Sequence, residues 1–125
     1  MSYQEKACQL HKEGCNCCQA VFMVCSEKFG ISQEQAYRLG AFFGGGFRCE
    51  EVCGAVSGAM MGLGMAYGDE NNRECTKSKA FLDAFREAYG SILCRDLVQP
   101  AGMEKKAMCP DYIKFAANYL EDEFK

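Results

Sequence analysis

The sequence predicts an all-α protein: one domain of 125 residues, a bundle of about five to six helices around a glycine-rich central helix. Three observations carry this expectation. Apolar residues recur at helical spacing, and no run alternates polar and apolar as a half-buried strand does. Val, Ile and Thr, which favour strands, total only nine residues. Residues 44–68, GGGFRCEEVCGAVSGAMMGLGMAYG, place Gly54, Gly58 and Gly62 four apart, hence on one helix face, with Ala55 and Ala59 widening it. Glycine costs roughly 1 kcal/mol against alanine inside a helix. Three on one stripe therefore imply the close approach of another backbone. An internal neighbour meets that need, and a homodimer meets it as readily.

The elements follow in order. Residues 2–12 suit a first helix with Tyr3, Ala7 and Leu10 on one face, ended by Gly14. Asn16 is placed to cap a second helix over 17–29, with Cys18, Val21, Phe22, Cys25 and Phe29 as its stripe and Gly30 as its stop. Ser32 followed by Gln35 is a capping-box pattern that opens a third helix, with Ala36, Leu39 and Phe43 inward. Gly44, Gly45 and Gly46 then mark a sharp turn; an anion-binding nest is the lesser alternative, and the absence of a following Lys-Ser or Lys-Thr excludes a P-loop. The central helix is expected over 48–67, with Glu50 and Glu51 at the positive end of its dipole and Met60, Met61, Leu63 and Met65 toward its neighbours. After a polar loop, residues 76–89 predict a helix that buries Phe81, Phe85 and Ala88. Gly90-Ser91 opens a short helix over 92–98, residues 100–108 form a linker, and Pro110 suits the first position of the last helix. That helix buries Ile113, Ala116, Ala117 and Leu120.

Composition narrows the function. A net charge of -3 and a pI near 5.2, with no basic cluster, argue against nucleic acid as a partner. The uncharged run from Val52 to Tyr67 falls short of the roughly 20 residues a membrane span requires. The N-terminus lacks the apolar stretch of a signal peptide, which leads to a cytoplasmic expectation. In a reducing compartment, ten cysteines point to metal binding, thiol redox chemistry or small apolar filler rather than a disulfide framework.

Four of the ten share a setting. Cys17 follows the cap Asn16, Cys53 stands near the front of the central helix, Cys94 is three residues after Ser91, and Cys109 precedes Pro110. Each therefore lies near a helix N-terminus, where unpaired N–H groups and the dipole favour a thiolate and lower its pKa. Cys15 and Cys18 form a C-x-x-C without a preceding strand. Cys8, His11, Cys15 and Cys18 have zinc-like spacing, which only a chain reversal at Gly14 could fold around one ion. Cys25 reads as core and Cys75 as a loop residue. Cys49, one helical turn before Cys53, is a candidate partner for it in ion binding or oxidation.

At these residues the sequence resembles a family of small redox-active proteins named for a C…GCAxxG…C…C pattern. The matching pieces are NCCQAV at 16–21, GGG at 44–46, CGAVSG at 53–58, GSILCRDL at 90–97 and CP at 109–110, which span nearly the whole chain. The family's four cysteines carry over onto Cys17, Cys53, Cys94 and Cys109. Cys15, Cys18 and Cys49 are extras. The resemblance implies a redox role and no particular substrate.

Three functions are carried forward. The first is a thiol-redox or electron-transfer protein, with a thiol–disulfide oxidoreductase as the candidate activity. It would use Cys17, Cys53, Cys94 and Cys109, activated by helix ends and by Arg95 or Arg48, and act on a redox partner protein. The second is a module in which the same four cysteines hold zinc or an iron–sulfur cluster. The third is a structural or adaptor bundle whose cysteines are filler.

Overall fold

The computed structural model describes residues 1–97 and 111–125. They form seven α-helices: α1 (Tyr3–Lys12), α2 (Cys17–Met23), α3 (Gln33–Leu39), α4 (Gly54–Tyr67), α5 (Thr76–Tyr89), α6 (Cys94–Leu97) and α7 (Asp111–Glu123). Short 3-10 turns at Ser26–Phe29 and Glu70–Asn72 link them. No strand is present among the described residues; a single antiparallel bridge joins Val52 to Leu93. The all-α expectation holds. The expected linker, Cys109, Pro110 and the end of the short helix at Val98 lie outside the described residues.

Capping fixes the first three helix starts. Ser2 with Glu5, Asn16 with Gln19, and Ser32 with Gln35 each form a reciprocal box in which two N–H groups without helical partners find side-chain oxygens. The second helix is shorter than expected. Buried Ser26 and the Gln33 amide both donate to the Met23 carbonyl, at 3.4 and 2.9 Å, and so compensate for the end of α2 there. Gly30, at φ 82°, closes the 3-10 turn that follows.

The larger correction concerns the central helix, which begins at Gly54. Gly45, Gly46, Phe47 and Arg48 have φ of 59, 60, 61 and 57°, a left-handed turn that cannot run on into a right-handed helix. Glu50 and Glu51 consequently precede the helix, and Cys49 is exposed in the turn. Gly46 is required here: a Cβ would lie 2.5 Å from the Glu51 backbone nitrogen, and the Glu51 N–H bonds the Gly46 carbonyl.

The glycine stripe of α4 faces α2. Cβ atoms on Gly54 and Gly58 would meet the Cys18 nitrogen at 3.1 Å and the Cys18 carbonyl oxygen at 2.7 Å, and one on Gly62 would meet the Cys25 sulfur at 3.0 Å and Leu120 at 3.3 Å. The stripe is thus occupied by internal neighbours. Around this seam the core assembles Phe22, Phe81, Phe85, Ile113 and Leu120, all buried. Aromatic contacts between Phe81, Phe85 and Tyr89 of α5 and Phe115 and Tyr119 of α7 extend it. Leu39, Met65 and Ala88, expected inward, are exposed. For α3 the cause is its shortness: it buries only Ala36, and Phe43 falls beyond its end.

Candidate functional site

The site begins with Asn16-Cys17-Cys18-Gln19. Besides capping α2, Asn16 donates through Nδ2 to the carbonyls of Gly40 and Ala41, at 3.0 and 3.3 Å. Gln19 donates through Nε2 to the Tyr37 carbonyl at 2.9 Å. Two cap side chains therefore satisfy carbonyls left open where α3 ends. They also hold the glycine turn over the start of α2, where a Cβ on Gly44 would lie 2.7 Å from that of Asn16. Cys17 and Cys18 are the first two residues of α2, and Gly54 admits them against the start of α4: its missing Cβ would meet that of Cys17 at 3.1 Å.

Cys53 is the N-cap residue of α4, and Cys94 is the first residue of α6. The Cys53 N–H donates to the Ile92 carbonyl at 2.7 Å, and the Cys94 N–H donates to the Glu51 carbonyl at 2.6 Å. These two bonds flank the Val52–Leu93 bridge. In such a pairing Cys53 and Cys94 are diagonal neighbours on the same side, typically about 7–8 Å apart. Ser91 accepts the Leu93 N–H at 3.0 Å and donates to Asp96 at 2.7 Å, which turns the chain into α6. Arg95 pairs with Glu51 at 2.6 Å and donates to the Glu50 carbonyl at 3.2 Å. It is engaged in fastening α6, not in activating a thiol.

Cys17, Cys53 and Cys94, remote in sequence, thus come near enough to influence one another's ionisation. Cys18 joins them through Cys53. All four are free thiols. Their acidity runs opposite to the expectation from helix ends. Burial, and then the neighbouring Cys53, Cys94 and Cys18, push the Cys17 thiol up to about 12. Burial and Cys53 push Cys18 up to about 12. Burial raises Cys53, although the N–H groups of Ala55 and Val56 pull it down. Burial and the Glu50 carboxylate raise Cys94. Loss of water outweighs the helix-end donors, so the resting cluster is protonated.

A surface groove of about 410 Å³ is lined by Asn16, Gly44, Gly45, Arg48, Glu50 and Cys94, and so meets the cluster at Cys94. Cys94, 8% exposed, is the cluster's thiol on that groove, while Cys53, 4% exposed, does not line it.

Tyr112 had no signal in the sequence beyond its place on α7. Its ring is half-buried and its hydroxyl donates to the Leu97 carbonyl at 2.7 Å, and it feels the charges of Cys53, Cys17 and Cys94.

The remaining cysteines lie apart. Cys8 is disulfide-bonded, Cys15 is buried after α1, and the His11 ring contacts the Cys15 carbonyl at 3.1 Å. Cys25 is core, bonded to the Phe22 carbonyl, and Cys75 is exposed where the loop enters α5. Cys49 does not share a helix with Cys53. Among the described residues no group of three or more His, Cys, Asp or Glu is placed to hold a metal ion, neither the zinc-like set 8, 11, 15 and 18 nor Cys17, Cys53 and Cys94. Cys109 lies outside the described residues. Nor is any described helix long and apolar enough to cross a membrane.

The family described as "Putative redox-active protein (C_GCAxxG_C_C)" matches residues 15–123. No curated protein and no solved structure matches the chain.

Proposed function

The chain belongs to the C_GCAxxG_C_C family, and from that premise we propose that it carries out thiol–disulfide exchange with a partner protein through Cys17, Cys53, Cys94 and Cys109. Cys94, on the groove, is the entry thiol. Its sulfur attacks a disulfide of the partner, forms a mixed disulfide and releases one partner sulfur as a thiol. Cys53 then attacks the Cys94 sulfur, closes an internal Cys53–Cys94 disulfide and releases the second partner sulfur. Two protein thiols and one partner disulfide become one protein disulfide and two partner thiols. The two protons lost here end on the partner. Cys17 is the remaining described thiol of the set, able to exchange with that bond, and Cys109 belongs to the set by the family pattern.

The observation that supports this reading most is the convergence of free Cys17, Cys53 and Cys94, the last of which lines a surface groove. The family description agrees in its broad sense. Diagonal neighbours need an approach of one or two ångströms to reach bridging distance, a small adjustment for a four-residue helix. The protonated resting state also protects the cluster from stray oxidants, because the thiolate is the reactive form.

The test is differential thiol labelling followed by peptide mass spectrometry after equilibration with thiol–disulfide buffers of graded potential. Paired loss of Cys53 and Cys94 labelling, with one midpoint and restoration on reduction, is the expected result. Unchanged labelling of every cysteine in the set across the whole range would sink the proposal.

A further inference from the structure

We infer that the groove at Cys94 also receives a small zwitterionic thiol of the amino-acid class, which reduces the Cys53–Cys94 disulfide once the partner has left. The inference rests on the exchange reading for the bond it breaks. That reading ends with an oxidised protein, so a further reductant must restore the two thiols. Entry by way of the groove leads to Cys94, since Cys53 does not line it.

The lining of the groove selects the class of molecule. Its volume of about 410 Å³ falls within the roughly 300–1,000 Å³ of small-molecule sites. Two charged side chains line it, Arg48 and Glu50, one cationic and one anionic. Both are exposed, and among the described residues neither has an ion pair: the four ion pairs there use other side chains. Asn16 is already engaged with Gly40, Ala41 and the cap of α2. The Gly45 wall is open, since a Cβ there would meet nothing within 4 Å. One molecule that carries both a carboxylate and an ammonium therefore complements Arg48 and Glu50 together. The Glu50 main chain is fixed at the start of α6, through the Arg95 Nε bond to its carbonyl at 3.2 Å and the Cys94 N–H bond to the Glu51 carbonyl at 2.6 Å. In an amino-acid thiol only two carbons separate sulfur from the ammonium. An ammonium held by Glu50 thus brings its own sulfur toward Cys94.

The chemistry balances with two such molecules. The sulfur of the first attacks the Cys94 sulfur and breaks its bond to Cys53, which leaves as a thiol with the attacker's proton. The second attacks the outer sulfur of the mixed disulfide, and its proton passes to Cys94. Two small thiols and one protein disulfide become one small disulfide and two protein thiols.

The reverse of the second attack gives the test: loss of the Cys94 thiol when the reduced protein meets a small disulfide, followed by rapid quench and peptide mass spectrometry. The probes are cystine (zwitterionic), cystamine (cationic), 3,3′-dithiodipropionate (anionic) and 2-hydroxyethyl disulfide (neutral). A Cys49→Ser background removes the exposed thiol between the two charges. Each rate is divided by that of the neutral probe on the same variant, and each variant is compared with its parent, which cancels leaving-group differences and any change in Cys94 itself. Glu50→Gln should lower the cystine ratio about threefold and the cystamine ratio with it; Arg48→Gln should lower the cystine and dithiodipropionate ratios alike. Exposed Cys75, which does not line the groove, should show neither change. A cystine ratio that either variant leaves unaltered overturns the inference. Should a variant fail to fold, salt reads the same charges: between about 0.01 and 1 M the parent's cystine ratio must fall, and a constant ratio overturns the inference equally. Charge preferences as expected, with a mixed disulfide at Cys94 that never gives way to a Cys53–Cys94 bond, would refute the exchange reading alone. Ready closure of that bond without charge preference refutes only the zwitterion, and no loss of the Cys94 thiol with any probe refutes both.

Discussion

A Cβ atom on Gly58 would lie 2.7 Å from the carbonyl oxygen of Cys18, a main-chain atom that cannot rotate aside. Gly64, on the same helix, has nothing within 4 Å of the corresponding position. The two glycines therefore respond oppositely to one substitution. Gly64→Ala should gain about 0.5–1 kcal/mol from helix propensity alone. Gly58→Ala has the same gain available but must separate α2 from α4, and overpacking of this kind costs about 1–3 kcal/mol. Denaturant unfolding of the pair checks both signs. Equal effects would mean that the seam is looser than described.

Asn16 performs two tasks that substitution can separate. Asn16→Asp keeps the oxygen that caps α2 but loses the Nδ2 donors to Gly40 and Ala41 and sets a carboxylate against their carbonyls. Asn16→Ala loses the cap as well, which typically costs about 1 kcal/mol. Both should release the glycine turn, with faster alkylation of Cys94 as the measurement. Asn16→Asp should do so while retaining α2, visible as unchanged amide exchange at Gln19.

Arg95→Ala removes an ion pair between two half-exposed side chains, so global stability should fall by less than about 1 kcal/mol. Its local effect should be larger, since the same side chain also binds the Glu50 carbonyl and holds α6 to the turn before α4. Cys94 should label several-fold faster and Cys25 at its original rate. Equal acceleration at both would indicate general destabilisation instead.

The raised thiols set a pH dependence. Cys17, Cys18 and Cys25 titrate at about 12 in the folded chain against about 8.5 when unfolded. The folded state holds its protons longer, so this contribution to stability is complete below pH 8.5 and is lost as pH rises from there toward 12. Unfolding free energy should therefore decline above pH 9. Cys25→Ala removes one such group and should flatten the decline by up to about 1.4 kcal/mol per pH unit. Exposed Cys49 and Cys75, outside this set, should tolerate serine within about 0.5 kcal/mol.

Much of this was legible in the residues. Asn16 with Gln19 and Ser32 with Gln35 announce their helix starts because capping is a local transaction between side chain and nearby backbone. The spacing of Gly54, Gly58 and Gly62 gives the α4 face, since a missing side chain matters only where something comes close. Three features were not legible. Phe47 and Arg48 adopt left-handed backbone, which their side chains disfavour by roughly 1–2 kcal/mol each; local preference therefore extended the helix to Arg48 where tertiary packing refused it. The Val52–Leu93 bridge is too short to have a periodic signature, yet it is what sets Cys94 beside Cys53. The acidity of the described thiols runs against what their helix ends suggest, because helix ends are visible in sequence and depth beneath the surface is not.

The seam between α2 and α4 has a mechanical consequence. With main chain lying against main chain, no rotamer can flip to widen or narrow it, and the spacing of Cys17 from Cys53 changes only if one whole rod slides along the other. Cys94 stands instead on a single helical turn, tied by two amide bonds and by the side chains of Arg95 and Tyr112. Any travel needed for sulfur to meet sulfur thus falls to that turn, which makes one jaw of the pair fixed and the other movable only as far as its side-chain ties give.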